Sequence, residues 1–402
     1  PALCEAGLAP KPIRPGEAAS RPSYAYHVDA PGFADCLCET AVARGIRHVV
    51  DRVVDVELRE NGDIAAVRTV GGQRLEADLF IDCTGFRAQL IGEALGVGWV
   101  DFSEWLLCDR AVVMAVDFDT FYPGFVRPCT VSTALSAGWA WDIPLQDCRE
   151  VGYVHSSRCI ERDAAERELR ASEGPHATGL DARHVEFRVG MREQAWTRNC
   201  IAVGNAGGFL EPLASTGIYL GELAAVMLAQ HFPDAGDMDA VRYRFNRIMA
   251  DRHYEILDFI NVHYALTRRE DTAFWREVGS PARVTPRLQA KLDFWRLKAP
   301  SSSDFVDMRL PGEPLLQSSG DSPGGDPREP IDTGDLFDLD SYEYVLYGMD
   351  FLREECESWF GTDRPASRVA RPVAQRLAAA KGTLAPHDRW LRQVLGVQPG
   401  RR

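Results

Sequence analysis

The segment running from Cys200 to Phe232, CIAVGNAGGFLEPLASTGIYLGELAAVMLAQHF, constrains this chain more than any other. A short apolar run, Ile201 to Val203, feeds a Gly-rich loop that opens at Gly204, and a long helical pattern begins at Gly217. Strand, tight loop and helix start in that order turn backbone N–H groups and the positive end of a helix dipole toward one spot. Ser215 and Thr216 set hydroxyl donors beside those amides, and Pro212 stiffens the approach. Read alone, the segment predicts a cradle for an anion or for the electron-rich edge of a cofactor. Simple turn geometry explains Gly204, and likewise Gly85, equally well.

The bulk of the sequence narrows the function classes. With 402 residues the chain exceeds one small core and predicts two domains or one large elaborated one. A net charge of −14 with no Lys/Arg run argues against a nucleic-acid surface, which needs a basic face. The apolar helix Ile218 to Phe232 carries Glu222 and is too short and polar for a bilayer span, and Pro1 to Arg14 lacks the apolar core of a signal peptide. A soluble cytoplasmic protein with no membrane partner is the plain reading. The ten cysteines are scattered; Cys36 and Cys38 have no answering pair, so neither a metal site nor a disulfide framework is expected. The chain starts at Pro1, in a Pro/Ala-rich stretch without period, which suggests a fragment.

Along the chain, Phe33 to Arg44 reads as a helix closed by Gly45. Ile46 to Glu60 and Ile64 to Val70 read as strands joined across Asn61-Gly62-Asp63, a hairpin signal. Ala77 to Phe86 is a nearly continuous apolar run, the pattern of a parallel strand buried on both faces. Ala111 to Asp117 and Ala137 to Ile143 suggest a second sheet, joined by Val151 to Ser156 and Val185 to Val189. Helices are expected from Gly217 to about Gln230, from Met238 to Leu266 with a core stripe through Phe245, Ile256 and Phe259, and from Ala366 to Lys381. On the second of these helices Asp251, Glu255 and Asp258 lack the Glu-x-x-His pattern of a di-iron site and read as a solvated or ion-paired face. Ser301 to Gly334 is a Gly/Pro/Ser/Asp-rich loop, and ordered structure resumes at Asp340 to Leu352.

In GWAWDIPL (Gly138 to Leu145) a strand places Trp139, Trp141 and Ile143 on one face. Two adjacent indoles make either ordinary core packing or the wall of a cavity. The chain resembles the flavin-dependent tryptophan halogenase family. The likeness is carried by the Trp-x-Trp-x-Ile-Pro pattern at Trp139, Trp141, Ile143 and Pro144, by GYVHSS, EADLFIDCTGF and EPLASTGIYL, and by HYALTRREDTAFW, in the family's order. It covers most of Ser23 to Trp275 and returns weakly at YEYVLYGM.

The resemblance implies an α/β, FAD-dependent monooxygenase-like fold. A sheet-rich flavin module is expected over residues 1–256 and a mostly helical substrate module over 257–402, with a mobile loop at 301–334. The N-terminal βαβ unit with its Gly-x-Gly-x-x-Gly loop is expected to be missing. It further implies reduced FAD supplied by a separate flavin reductase, with oxygen and chloride or bromide giving hypohalous acid. That oxidant would attack tryptophan or another electron-rich aromatic, free or carrier-tethered, in secondary metabolism of the antibiotic kind. By the same resemblance Thr216 and Gly217 hold halide, and Val53, Gly85, Gly204, Asn205, Pro212, Gly217 and Ile218 contact the flavin. Ser215, Trp139 and Trp141 act in catalysis, the Trp pair keeping substrate from the flavin. Phe337, Tyr342 and Tyr344 are substrate candidates, with core packing the competing reading. A second copy of the chain is also an expected partner.

Two departures from the pattern stand out. The family's catalytic lysine has no counterpart among Lys11, Lys291, Lys298 and Lys381, and the loop glutamate is replaced by Ala214. An FAD-dependent hydroxylase and an inactive flavin-binding fragment therefore remain alternative readings.

Overall fold

The structure, a computed structural model, describes residues 2–13, 24–118, 126–230, 232, 238–305, 336–352 and 367–396. Only the first five residues of the expected loop at 301–334 fall within them. The chain divides into two compact units. One comprises residues 1–49, 109–186 and 360–402; the other comprises 50–108 and 187–359. The sequence boundary at 256/257 falls inside the helix Asp239–Ala265, both sides of which belong to the second unit.

The first unit is built on a five-stranded antiparallel sheet. Its strands, in spatial order, are Arg183–Glu186, Arg110–Asp117, Cys148–His155, Gly138–Pro144 and Val131–Leu135. Alternation sorts the faces. Val112, Met114, Val116, Ala140, Val151 and Tyr153 form one buried cluster with Ala165 and Leu169 of the helix Arg162–Glu173. Glu168 fastens that helix, accepting from Ser136 Oγ at 2.6 Å and from the Tyr153 hydroxyl at 3.1 Å. Trp139 and Trp141 take the opposite parity on their strand, paired with Val154 and Gly152. The helix Ala30–Ala43 of this unit has no buried residue.

The second unit carries three small sheets. The hairpin Val53–Leu58/Ile64–Thr69 turns at Gly62, whose φ of +85° suits glycine, as the Asn-Gly-Asp signal predicts. Arg74–Glu76 is its third strand. Phe80–Asp82 runs parallel to Cys200–Ala202, and Trp196–Thr197 pairs antiparallel on the far side. The third sheet joins Trp99–Asp101, Gly190–Arg192 and Gly208–Phe209.

Two expected strands are shorter than their apolar runs. Ala77 to Phe86 yields only Phe80–Asp82, with Ile81 49% exposed rather than buried on both faces. The cause is Asp82, whose carboxylate captures downstream amides and turns the chain out of the ladder. Ile46 to Glu60 contributes only Val53–Leu58.

The expected helices sit close to their places, at Ala30–Ala43, Thr216–Gln230, Asp239–Ala265 and Ser367–Thr383, and the ordered segment after the loop is the helix Leu339–Gly348. On the Asp239–Ala265 helix Asp251, Glu255 and Asp258 are ion-paired: Asp251, partly buried, with Arg247 at 3.8 Å, and Glu255 and Asp258, buried, with Arg252 and Arg287. Among the described residues Leu213–Gln230 alone is long and apolar enough, by length and composition, to cross a membrane. Its continuous helix, Thr216–Gln230, has 15 residues. At about 1.5 Å per residue that is roughly 22 Å, short of a hydrocarbon core of about 30 Å.

Candidate functional site

The two parallel strands of the second unit end side by side, and both run straight into glycine turns. Phe80–Asp82 leads through Cys83 and Thr84 to Gly85; Cys200–Ala202 leads through Val203 to Gly204. The Val203 N–H donates to the Asp82 carbonyl at 3.0 Å, locking the two exits together. In open α/β sheets a ligand sits in the crevice beyond the carboxyl ends of parallel strands. The turn Gly85–Arg87 packs on the turn Gly204–Ala206, which in turn meets the Thr216–Gln230 helix.

Three glycines line this arrangement with nothing in front of them. Gly85 (φ +69°), Gly204 (φ +63°) and Gly217 have no atom within 4 Å of where a Cβ would stand. At Gly85 and Gly204 the left-handed backbone is itself a reason for glycine. Gly217 lacks that reason, so its open space is the more informative. A side chain there would project into volume that a bound ring edge or anion can use. Asn205, Ala214, Ser215 and Ile218 are exposed at the same loops, whereas the Thr216 side chain is 5% exposed. Pro212 precedes the short turn Leu213–Ser215 and accepts the Ser215 N–H at 3.0 Å. Val53 begins the hairpin strand, its carbonyl already accepting from Gln89 Nε2 at 3.2 Å.

Asp82 organises this crevice and escaped the sequence reading. Its carboxylate is fully buried and accepts four hydrogen bonds. One oxygen takes the Thr84 N–H at 3.0 Å and the Thr84 hydroxyl at 2.6 Å; the other takes the amides of Leu90 at 2.9 Å and Ile91 at 2.8 Å. Thr84 Oγ accepts the Gln89 N–H at 2.7 Å in return. The Gly85 turn is thus stitched from both sides. An Asp two residues before Thr-Gly, closing an apolar run, was the signal available in the sequence.

In the first unit the Trp pair forms a continuous surface, with ring centroids 6.1 Å apart and planes tilted 55°. Trp139 is 5% exposed and Trp141 half-buried. Gly152, directly across the ladder, lets Trp141 lie flat: a Cβ at 152 would stand 2.1 Å from the indole. The buried Trp141 N–H has no hydrogen-bond partner among the described residues. At the end of the neighbouring strand Cys148–His155, opposite Gly138, burial holds the His155 imidazole down to about 4, so it stays neutral near neutral pH.

The substrate candidates separate. Phe337 stacks on Phe259 with centroids 3.8 Å apart and donates its amide to Glu255 at 2.8 Å. Tyr342 is 1% exposed and packs with Trp295 and Phe305. These two are core residues of the second unit, while Tyr344 is exposed. Of the lysines, Lys11 lies over the Tyr24 ring at 4.2 Å and Lys291 near Tyr342 at 5.3 Å; Lys298 and Lys381 are exposed.

Comparison with known proteins gives a consistent answer. The family profile described as tryptophan halogenase matches residues 2–361. Tryptophan 6-halogenase SttH of Streptomyces toxytricini is 38% identical over 282 residues, covering 70% of this chain and 53% of the relative. Tryptophan 7-halogenase RebH of Lentzea aerocolonigenes is 37% identical over 309 residues, covering 76% and 57%. Among solved structures, Xcc4156, a flavin-dependent halogenase from Xanthomonas campestris, superposes with a TM-score of 0.80 at 31% identity, covering 99% of this chain and 73% of that one. The chain spans about half the length of these curated relatives.

Proposed function

The chain belongs to the tryptophan halogenase family, and from that premise we propose that it is a flavin-dependent halogenase of an electron-rich aromatic, tryptophan or another indole first. The observation that carries this is the open-faced set Gly85, Gly204 and Gly217 at the ends of parallel strands and the start of a helix. When bound, reduced FAD would activate molecular oxygen, and oxygen is the oxidant that converts halide to hypohalous acid. A flavin reductase is the partner that role requires.

The chain's own residues divide the work. Gly85 and Gly204 allow the flavin close to the backbone, and Gly217 leaves room for its edge. Thr216 and the amides at the helix start favour a halide, since the dipole end is positive. Pro212 and Ser215 shape the loop that holds them. Asp82 keeps the Gly85 turn in place. Trp139 and Trp141 we assign to excluding substrate from the flavin chemistry, which disfavours direct hydroxylation. Ala214 offers no carboxylate to stabilise a cationic ring intermediate or to take its proton. An aromatic already activated by its own oxygen or nitrogen therefore suits this chain best.

Incubating the full chain with a flavin reductase, NADH, FAD, bromide and a panel of indoles and phenols tests the reading by product mass. Monobromination is expected. Hydroxylated product in its place would favour the hydroxylase alternative, and FAD binding without either product would favour a flavin-binding role.

A further inference from the structure

The loop that carries Thr216 and Gly217 is held in an unfavourable backbone conformation. Ala214 (φ +66°) and Ser215 (φ +56°) are consecutive non-glycine residues in the left-handed region. That region is unfavourable for a residue with a side chain, and the conformation persists only where surroundings enforce it. A backbone hydrogen bond from the Ser215 N–H to the Pro212 carbonyl, 3.0 Å, closes the turn on itself.

Glu211, the residue just before Pro212, supplies a tie. Its side chain is fully buried. It accepts a hydrogen bond from the hydroxyl of Tyr264, which is 2% exposed on the long helix Asp239–Ala265. The Tyr264 oxygen also lies 3.7 Å from the Cys108 thiol, buried in the same unit. Burial raises the Tyr264 hydroxyl well above its ordinary range, so it remains a proton donor at every working pH. Two buried carboxylates thus accompany the glycine turns: Asp82 stitches the Gly85 turn, and Glu211 immediately precedes the loop that leads to Thr216.

We infer that Glu211 is a positioning residue, held by Tyr264, that fixes residues 212–217 in the geometry that binds halide. This rests on Thr216 and Gly217 being the halide site. Glu211 touches neither flavin nor halide in this account; it acts through the backbone it precedes. Loss of the Tyr264 donor releases the strained turn, and Ala214 and Ser215 relax toward ordinary φ. The amide and hydroxyl donors then no longer converge.

The test uses crystals of the full chain soaked over a series of bromide concentrations, reading anomalous occupancy at Thr216–Gly217, together with melting temperature in solution. Tyr264→Phe keeps the ring and removes only the donor; Glu211→Ala removes the acceptor; Glu211→Gln restores one. The expected result is at least a tenfold loss of bromide affinity in Y264F and E211A, with E211Q near wild type. Equal bromide affinity in wild type, Y264F and E211A, even with lower melting temperatures, would overturn the inference and leave the halide reading standing. No bromide at Thr216–Gly217 in the wild-type chain would overturn the halide reading and this inference with it.

Discussion

The two candidate surfaces of this protein are built by opposite means. The Trp139/Trp141 wall rides on a five-stranded antiparallel sheet with seven-residue and longer strands at its centre. Its geometry follows from ladder register and from volume, above all the missing side chain at Gly152. The glycine crevice of the other unit rests on strands of three residues, Phe80–Asp82 and Cys200–Ala202. There the shape is held by buried carboxylates, Asp82 and Glu211, and by left-handed turns. A sheet surface is specified by pattern and fails by misfit; a turn-built crevice is specified by individual hydrogen bonds and fails by a lost acceptor.

That contrast sets the expected effects. The largest belongs to Asp82→Ala, which strands the buried amides of Leu90 and Ile91. At about 1–3 kcal/mol for each unsatisfied buried donor, the loss should reach roughly 3–5 kcal/mol. Urea unfolding measures it, and a loss below about 1 kcal/mol would break the comparison at the crevice. Gly152→Val is the matching blow to the sheet. Overpacking of this kind costs about 1–3 kcal/mol and should shift Trp fluorescence as the Trp141 ring is pushed aside. An unshifted spectrum would show that the wall does not depend on that missing side chain.

Smaller changes sharpen the contrast. Thr84→Val is nearly isosteric but removes the hydroxyl that donates to Asp82 and accepts from Gln89. It should cost about 1–2 kcal/mol although volume is preserved, a result that packing alone does not give. In the sheet unit His155 provides a pH signature. Its folded value of about 4 lies below the ordinary 6.5, so the neutral form is the one the fold prefers. The associated stability is fully present above pH 6.5 and declines as pH falls toward 4, at up to about 1.4 kcal/mol per pH unit. His155→Asn should flatten that limb of the unfolding profile; an unchanged limb would assign it to other groups, His27 in the same unit among them.

How much of this was legible in the sequence follows the same division. Alternation in GWAWDIPL placed both tryptophans on one face, and Asn61-Gly62-Asp63 marked the hairpin turn, because period and turn chemistry are local properties. The helix after the Gly-rich loop was equally readable from its apolar run. The apolar run Ala77 to Phe86 misled, since its length says nothing of the Asp82 carboxylate that ends the strand after three residues. Glu211 looked like one more acidic residue before a proline. Its partner Tyr264 lies 53 residues away, a distance no local pattern spans. Whether the acidic residues of the long helix were solvated or ion-paired stayed open for the same reason: the arginine that pairs with Asp258 sits on the segment beginning at Pro286. For Phe337 and Tyr342 the sequence offered both core packing and substrate contact, and could not name Phe259 as their partner, because that stacking depends on the tertiary fold.

The halogenase proposal requires that the space before Gly217 belong to a flavin. Because a Cβ at 217 would meet no protein atom within 4 Å and its backbone is not left-handed, Gly217→Val should leave the fold intact and obstruct only a ligand. Titrating FAD into the full chain and into this variant, with circular dichroism as the check on folding, is the direct measurement. Saturable FAD binding by the wild-type chain, weakened tenfold or more in the folded variant, is the predicted result. No binding by the wild-type chain, or equal binding by both, would contradict it.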